Sequence, residues 1–153
     1  MKFLTIENAN DGLDDLKKHF GDDSKTSFVF IHMNGCGHCE AMMSNWGNLN
    51  DTFKDRDDNL IIAKINSDLQ SKFDNLFKEI NGYPSINYIK NNKIVESYEK
   101  DRSAAALTAW INSKLAKQSG GGRKRAKKNK TKTKKKKTRL NKKSKSRRRR
   151  YKR

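Results

Sequence analysis

The positive charge of this chain is confined to one end, and that segregation decides how much of it can fold. Of 36 lysines and arginines, 21 lie in residues 120–153, where there is no acid; the other 15 share residues 1–119 with all 17 acids. The net charge of +19 therefore divides into a near-neutral body and a polycationic tail. Every Trp, Phe and Cys lies in the body, which alone has the large apolar side chains that a core requires. A body of this length can bury enough surface to fold as one domain. The tail offers only Ala126, Leu140 and Tyr151. That is too little burial to offset the entropy of ordering it, so the tail is expected to stay disordered unless an anion binds. Gly120-Gly121-Gly122 reads as the hinge between the two parts.

Within the body, Lys2–Ile6 alternates weakly, as a short edge strand would, and Leu13, Leu16 and Phe20 then recur at helical spacing. Residues 27–33 (Ser-Phe-Val-Phe-Ile-His-Met) are β-branched or aromatic and nearly uncharged, the pattern of a central strand buried on both faces. Met42, Met43, Trp46, Leu49 and Phe53 form one face of a helix over residues 36–53. Residues 59–66 read as a second central strand. Leu69, Phe73, Leu76, Phe77 and Ile80 predict a further amphipathic helix, stopped by Asn81-Gly82. Ser85–Lys90 and residues 93–98 flank Asn91-Asn92, a pair suited to a tight hairpin. Leu107, Trp110, Ile111 and Leu115 mark a closing helix. The order β-α-β-α-β-α-β-β-α predicts an α/β fold, a mixed sheet with helices on both faces.

Gly35-Cys36-Gly37-His38-Cys39 falls where the first central strand hands over to a helix. Residues three apart on a helix are neighbours, so the sulfurs can meet at the Cα separation of about 5.5 Å that disulfides favour. Cys36 faces the unpaired N–H groups and positive dipole end of the helix, which stabilise a thiolate. Cys39 lies a turn further in and is more shielded. One sulfur can therefore attack a substrate disulfide while the other resolves the mixed disulfide. An imidazolium at His38 would favour the thiolate further and make the disulfide more oxidising; the plainer reading is an exposed first-turn histidine. Metal binding is the rival chemistry. Zinc normally takes four ligands, and Cys36, Cys39, His19, His32 and His38 make a poor tetrahedral set, because His38 is inside the loop and His19 is on another element. An iron-sulfur cluster would need thiolates from two chains. The reading is a dithiol site with no metal and no cofactor.

The opening Met-Lys-Phe-Leu-Thr-Ile-Glu-Asn has no apolar run of signal-peptide length, and no later stretch could span a bilayer. The expectation is a protein not exported by that route, resident in cytoplasm or nucleus. Reducing compartments keep ordinary thiols reduced, so two cysteines at this spacing point to chemistry rather than to a structural staple.

Residues 27–117 resemble the thioredoxin superfamily, and within it the protein disulfide isomerase domains. Cys36-Gly37-His38-Cys39 is similar to the isomerase active-site tetrapeptide, Ala63-Lys64-Ile65-Asn66 to the central strand, and Gly82-Tyr83-Pro84-Ser85 to the cis-proline loop. The resemblance implies a thioredoxin fold and a thiol-disulfide oxidoreductase acting on protein thiols and disulfides. It also implies a cis peptide at Tyr83–Pro84 beside the cysteines, where these residues hold a substrate segment like an added strand. Arg102 aligns with the isomerases' mobile arginine, which approaches the buried cysteine and favours its thiolate; the alternative is a solvated residue at a helix start.

Two departures stand out. Gly35 replaces the tryptophan that usually precedes the first cysteine, which removes a flat apolar surface from the substrate site and loosens the loop. Phe30 occupies the position of a buried acid six residues before that cysteine, the proton acceptor for the resolving thiol, and leaves its partner Lys64 without a carboxylate. His32 faces the same side of the strand as Phe30, so it is the candidate to take the proton from Cys39. A histidine simply hydrogen-bonded beneath the helix is the competing reading. With Phe30 in the acid's place, a redox-impaired binding module is the alternative to an enzyme.

The tail, residues 123–153, would bind nucleic acid or another polyanion by counterion release, with little sequence choice because Tyr151 is its only aromatic. A nuclear address in Lys134 to Lys137, anionic lipid binding and a solubilising role are the other readings. A thioredoxin-like body with such a tail is similar in style to gene products of large DNA viruses, which implies travel with packaged nucleic acid in a virion.

Overall fold

Seven consecutive buried residues, Thr26–His32, form β2, and the sheet is arranged about them. The computed structural model describes residues 1–56 and 59–120, with side chains as far as Ala116. The hinge and disordered tail are expected from Gly120, but Gly120 still belongs to the last described helix; the rest of them, residues 121–153, with the expected polyanion binding, lies outside the described residues.

The elements run β1 (Lys2–Ile6), α1 (Leu13–Phe20), β2, α2 (Gly37–Phe53), β3 (Leu60–Asn66), a 3-10 helix (Ser67–Lys72), β4 (Ser85–Lys90), β5 (Lys93–Ser97) and α3 (Ala104–Gly120). The sheet order is β1-β3-β2-β4-β5. β3 is parallel to both β1 and β2, whereas β4 is antiparallel to β2 and to β5. This is the mixed α/β sheet that the element order predicts and the thioredoxin fold that the resemblance implies, with β1 at an edge and β2 at the centre.

Strand alternation divides the core in two. On one side Phe28, Phe30, Leu60, Ile62, Ile86 and Tyr88 pack against α2 and α3 through Met42, Trp46, Leu49, Leu107 and Ile111. On the other, Val29, Ile31, Ile61, Ala63 and Ile65 pack against α1 and the stretch after β3.

That stretch corrects one expectation. The predicted amphipathic helix over Leu69 to Ile80 is a short 3-10 helix followed by successive tight turns. Amides of Phe73, Leu76, Lys78 and Ile80 donate to carbonyls three residues back, and Asp74 has a positive φ of 50°, which interrupts helical geometry. Leu69, Phe73 and Phe77 are nonetheless buried. Apolar residues three or four apart suit repeated three-residue turns as well as an α-helix, so periodicity alone did not separate the two.

The β4–β5 hairpin turns on Asn91 and Asn92, with φ of 53° and 52°, where asparagine is tolerated and β-branched side chains are strained. The Asn92 amide also donates to the Phe20 carbonyl at 2.6 Å, tying the hairpin to α1. Asn92→Val is expected to lower stability by about 1–2 kcal/mol, read as a lower urea midpoint at unchanged slope.

Candidate functional site

The buried run of β2 ends at His32, and the chain reaches α2 through Met33, Asn34, Gly35 and Cys36. Gly35 has a φ of +72°, and a Cβ there would meet nothing within 4 Å. Backbone conformation rather than crowding therefore accounts for glycine at this position. Cys36 caps α2, and its Sγ lies 3.2 Å from the Cys39 amide nitrogen. The two cysteines form a disulfide with a Cα–Cα separation of 5.2 Å. Cys39 is completely buried, whereas Cys36 is partly exposed. The depth difference expected from their helix positions is therefore present.

The Tyr83–Pro84 peptide is cis, and the Tyr83 carbonyl oxygen lies 3.9 Å from Cys36 Sγ. Tyr83 is fixed at its other end, where its hydroxyl donates to Gln70 Oε1 at 2.6 Å. The Gln70 amide nitrogen donates in turn to the carbonyls of Phe77 and Ile80, the latter at 3.1 Å. One glutamine thus ties the 3-10 helix, the tight turns and the loop beside the disulfide together. Nothing in the spacing of Gln70 in the sequence signals this.

Arg102 is exposed just before the Ser103 cap of α3, and its carbonyl accepts from Asn45 Nδ2 at 3.2 Å, a link to α2. It lines two surface clefts. One, of about 540 Å³, includes Tyr83, Pro84 and Tyr98; the other includes His38, Met42 and Asn45. Its guanidinium makes no ion pair among the described residues. His38 is likewise exposed, on the first turn of α2. His19 is on α1, where its Nδ1 contacts the Asp15 carbonyl at 2.6 Å, away from both cysteines in the chain order and in the fold. Among the described residues no three His, Cys, Asp or Glu side chains converge as a metal-ligand set.

Beneath α2, the structure corrects the expectation that Lys64 lacks a carboxylate. Its Nζ lies 2.7 Å from Oε1 of Glu7, the residue that follows β1. The other oxygen of the same carboxylate lies 3.3 Å from His32 Nε2. That second contact is close but not aligned as a hydrogen bond, and the buried Nε2 has no hydrogen-bond partner. His32 does face the α2 side as predicted, its ring 5.8 Å from that of Phe30, which packs on Trp46 at 5.5 Å. Glu7 was not legible as a site residue. The missing clue was the parallel pairing of β1 with β3, which sets Thr5 opposite Lys64 and Ile6 opposite Ile65 and so brings the next residue to this end of the sheet.

Burial pushes His32 below its ordinary pKa of 6.5, and Lys64 adds to that effect while Glu7 opposes it. Partial burial pushes Glu7 up, but the Lys64 hydrogen bond and the charges of His32 and Lys64 together hold it below 4.5. Both groups therefore bind protons less readily folded than unfolded, and stability rises with pH through their titration. The His32 contribution is complete above about pH 6.5 and lost as pH falls toward its folded value; that of Glu7 is lost below about pH 4.5. Urea midpoints of the disulfide form are expected to decline as pH falls below about 6.5, and His32→Phe should remove that upper part of the decline.

The thioredoxin family model matches residues 13–113. Protein disulfide-isomerase 1 of Dictyostelium discoideum is 32% identical over 98 residues, covering 60% of this chain and 26% of that protein. Protein disulfide-isomerase A4 of Mus musculus is 32% identical over 106 residues, 67% of this chain and 15% of that protein. The chain thus spans about a quarter or less of the length of these curated relatives. Among solved structures, human ERp44 in its zinc-bound form is similar in fold, with a TM-score of 0.58 at 18% identity over 76% of this chain and 36% of that one. The J-Trx1 fragment of ERdj5 has a TM-score of 0.56 at 21% identity over 73% and 52%. No described helix is long and apolar enough to cross a membrane. The family match takes in β2, the Cys36–Cys39 pair, the Tyr83–Pro84 loop and most of α3 in one continuous span, and the chain belongs to the thioredoxin family.

Proposed function

We propose that this chain is a thiol-disulfide oxidoreductase that exchanges disulfides with protein substrates through Cys36 and Cys39. The observation that carries the reading is the asymmetry of the pair: Cys36 partly exposed at the α2 N-terminus beside the Tyr83 carbonyl, Cys39 wholly buried one turn below. The names of the isomerase relatives support the same chemistry.

In the reducing direction, the Cys36 thiolate attacks one sulfur of a substrate disulfide, and the other substrate sulfur leaves with the electron pair. Unpaired amides at the start of α2 stabilise that thiolate. Tyr83 and Pro84 hold the substrate backbone beside the sulfur, and Gly35 leaves the opposite side open. Cys39 gives up its proton, with His32 as acceptor, and attacks Cys36 Sγ. The substrate's second sulfur is released and takes up a proton, and the Cys36–Cys39 disulfide closes. Oxidation of a dithiol is the same sequence reversed. His38 and Arg102 at the lip favour the thiolate forms electrostatically, and Lys64 does so from below. The two electrons reside in the dithiol, so the cycle requires no bound cofactor. Residues 123–153 tether this chemistry to nucleic acid or another polyanion, and cytoplasm, nucleus or virion are the compartments that go with such a tether.

The reduction potential of the pair in the full chain, from a glutathione titration read by mass after alkylation, is expected between about −270 and about −180 mV. A value near the upper end indicates an oxidant or isomerase, and one near the lower end a reductant. Failure to form a reversible Cys36–Cys39 disulfide refutes the proposal and favours a binding module. Cys39→Ala is expected to accumulate mixed disulfide with a protein substrate, and Cys36→Ala to abolish exchange.

A further inference from the structure

Cys39 is buried in the same cluster as Phe30, which stands at the strand position where the isomerase resemblance implies an acid. We propose that Glu7, reaching in from the end of β1, replaces that acid: its one carboxylate pairs with Lys64 and lies beside His32, and the three form a charge-compensated group that receives the Cys39 proton. The inference rests on the oxidoreductase reading and adds to it a positioning residue on a different strand.

The placement follows a chain of contacts. Glu7 Oε1 pairs with Lys64 Nζ at 2.7 Å, and that nitrogen lies 3.7 Å from Met43 Sδ. Met43 stands four residues after Cys39 on α2, so the two share a helix face and are separated by just over one turn, roughly 6 Å along the axis. Side chains on a helix lean toward its N-terminus, which brings Met43, and the ammonium against it, toward Cys39. Glu7 Oε2 reaches His32 Nε2 at 3.3 Å from the other side, and the His32 ring abuts Phe30, which belongs to the same buried cluster as Cys39.

Charge explains why all three members are needed. With His32 neutral, Glu7 and Lys64 cancel. When the Cys39 proton moves to His32, the sulfur becomes negative and the group gains one positive charge, so the transfer creates an ion pair rather than a lone buried charge. Lys64 alone would oppose a second cation on His32. The Glu7 carboxylate, shared between them, offsets that repulsion and gives the protonated Nε2 an anionic partner. The Cys39 thiolate then attacks Cys36 Sγ, the bond from Cys36 to substrate breaks, and the departing sulfur carries away the electron pair and takes a proton from His32 or from water. The charged groups that act on His32 are Glu7 from the end of β1 and Lys64 from β3; Asn66 of β3 adds a hydrogen bond to Glu7.

Glu7→Gln in the full chain keeps the size and polarity of the side chain and removes the charge. It is expected to slow resolution of a preformed Cys36 mixed disulfide about tenfold near neutral pH and to move the pH profile of that step. The first attack by Cys36 should change less than about twofold, since the group lies below Cys39 and not at the α2 terminus. A resolution profile superimposable on that of the unmutated protein overturns the inference. A second measurement needs no variant: the His32 titration followed by NMR should shift between the disulfide and dithiol forms of the unmutated protein. Identical midpoints in the two forms show no coupling to Cys39 and also overturn it. If the unmutated protein itself never resolves a mixed disulfide, the oxidoreductase reading fails; if it does and Glu7→Gln matches it, this inference alone fails.

Discussion

Everything that distinguishes the two sulfurs depends on α2 lying flat against the centre of the sheet. Met42, Trp46, Leu49 and Phe53 form its buried stripe, and they meet Phe28, Phe30, Leu60 and Ile62 across the interface. Side chains of this size each contribute on the order of 2 kcal/mol on burial, so the helix is held far more tightly than a surface element would be. Cys36 caps the first turn and Cys39 belongs to it, so the same packing that seats the helix buries Cys39 and leaves Cys36 at the rim. No separate device is required to make one sulfur accessible and the other shielded. Burial of α2 also explains why the strand feeding it is apolar on both faces, since α1 and the turns after β3 cover the reverse side.

Packing of this quality leaves little room for charge, and the group beneath α2 shows how charge is accommodated. Lys64 lies on a strand whose other residues are buried, and its ammonium must find an anion or remain in contact with water. An acid on β2 would place that anion in the most buried strand of the molecule. Phe30 instead adds its ring to the core against Trp46, and the anion comes from the chain leaving the edge strand, where Glu7 stays about one third exposed. The backbone of that exit is held in place, because Asp11 Oδ2 accepts from the Glu7 and Asn8 amides at 3.0 and 2.7 Å. Moving the carboxylate to the edge therefore trades a deeply desolvated acid for one in contact with solvent, and leaves His32 as the most deeply buried of the three groups.

Much of this architecture was legible because it is written in local pattern. The apolar run of β2, the stripe on α2 and the Asn91-Asn92 turn each follow from period and backbone preference, and the structure shows all three. The cysteine pair was legible for the same reason, since a disulfide across three residues at a helix start is a local matter. The stretch from Leu69 to Ile80 was misread because its order comes from a side chain: Gln70 bonds to carbonyls seven and ten residues on, and such bonds leave no periodic trace. Glu7 was missed for the complementary reason. Its partners are 25 and 57 residues away, and only the pairing of β1 with β3 brings them together.

The same distinction between local and long-range information bears on the open side of the site. Gly35 removes the bulky neighbour of Cys36, yet the adjoining Met33 is 45% exposed, one of two large apolar side chains on the described surface that stand that far into solvent. Its carbonyl accepts from the Cys36 amide at 3.3 Å, so the turn that presents Met33 is the turn that presents the sulfur. A thioether on three rotatable bonds adapts its shape to whatever it touches, whereas an indole offers one flat face. In the exchange proposed above, Met33 is then a flexible contact for a substrate segment, and the firm wall is the cis-proline loop, where Gln70 anchors Tyr83 and Pro84 is buried next to the carbonyl beside Cys36. Selectivity for a substrate segment should then come chiefly from backbone contacts along that wall, which any extended peptide can make, and less from side-chain shape next to the reacting sulfur.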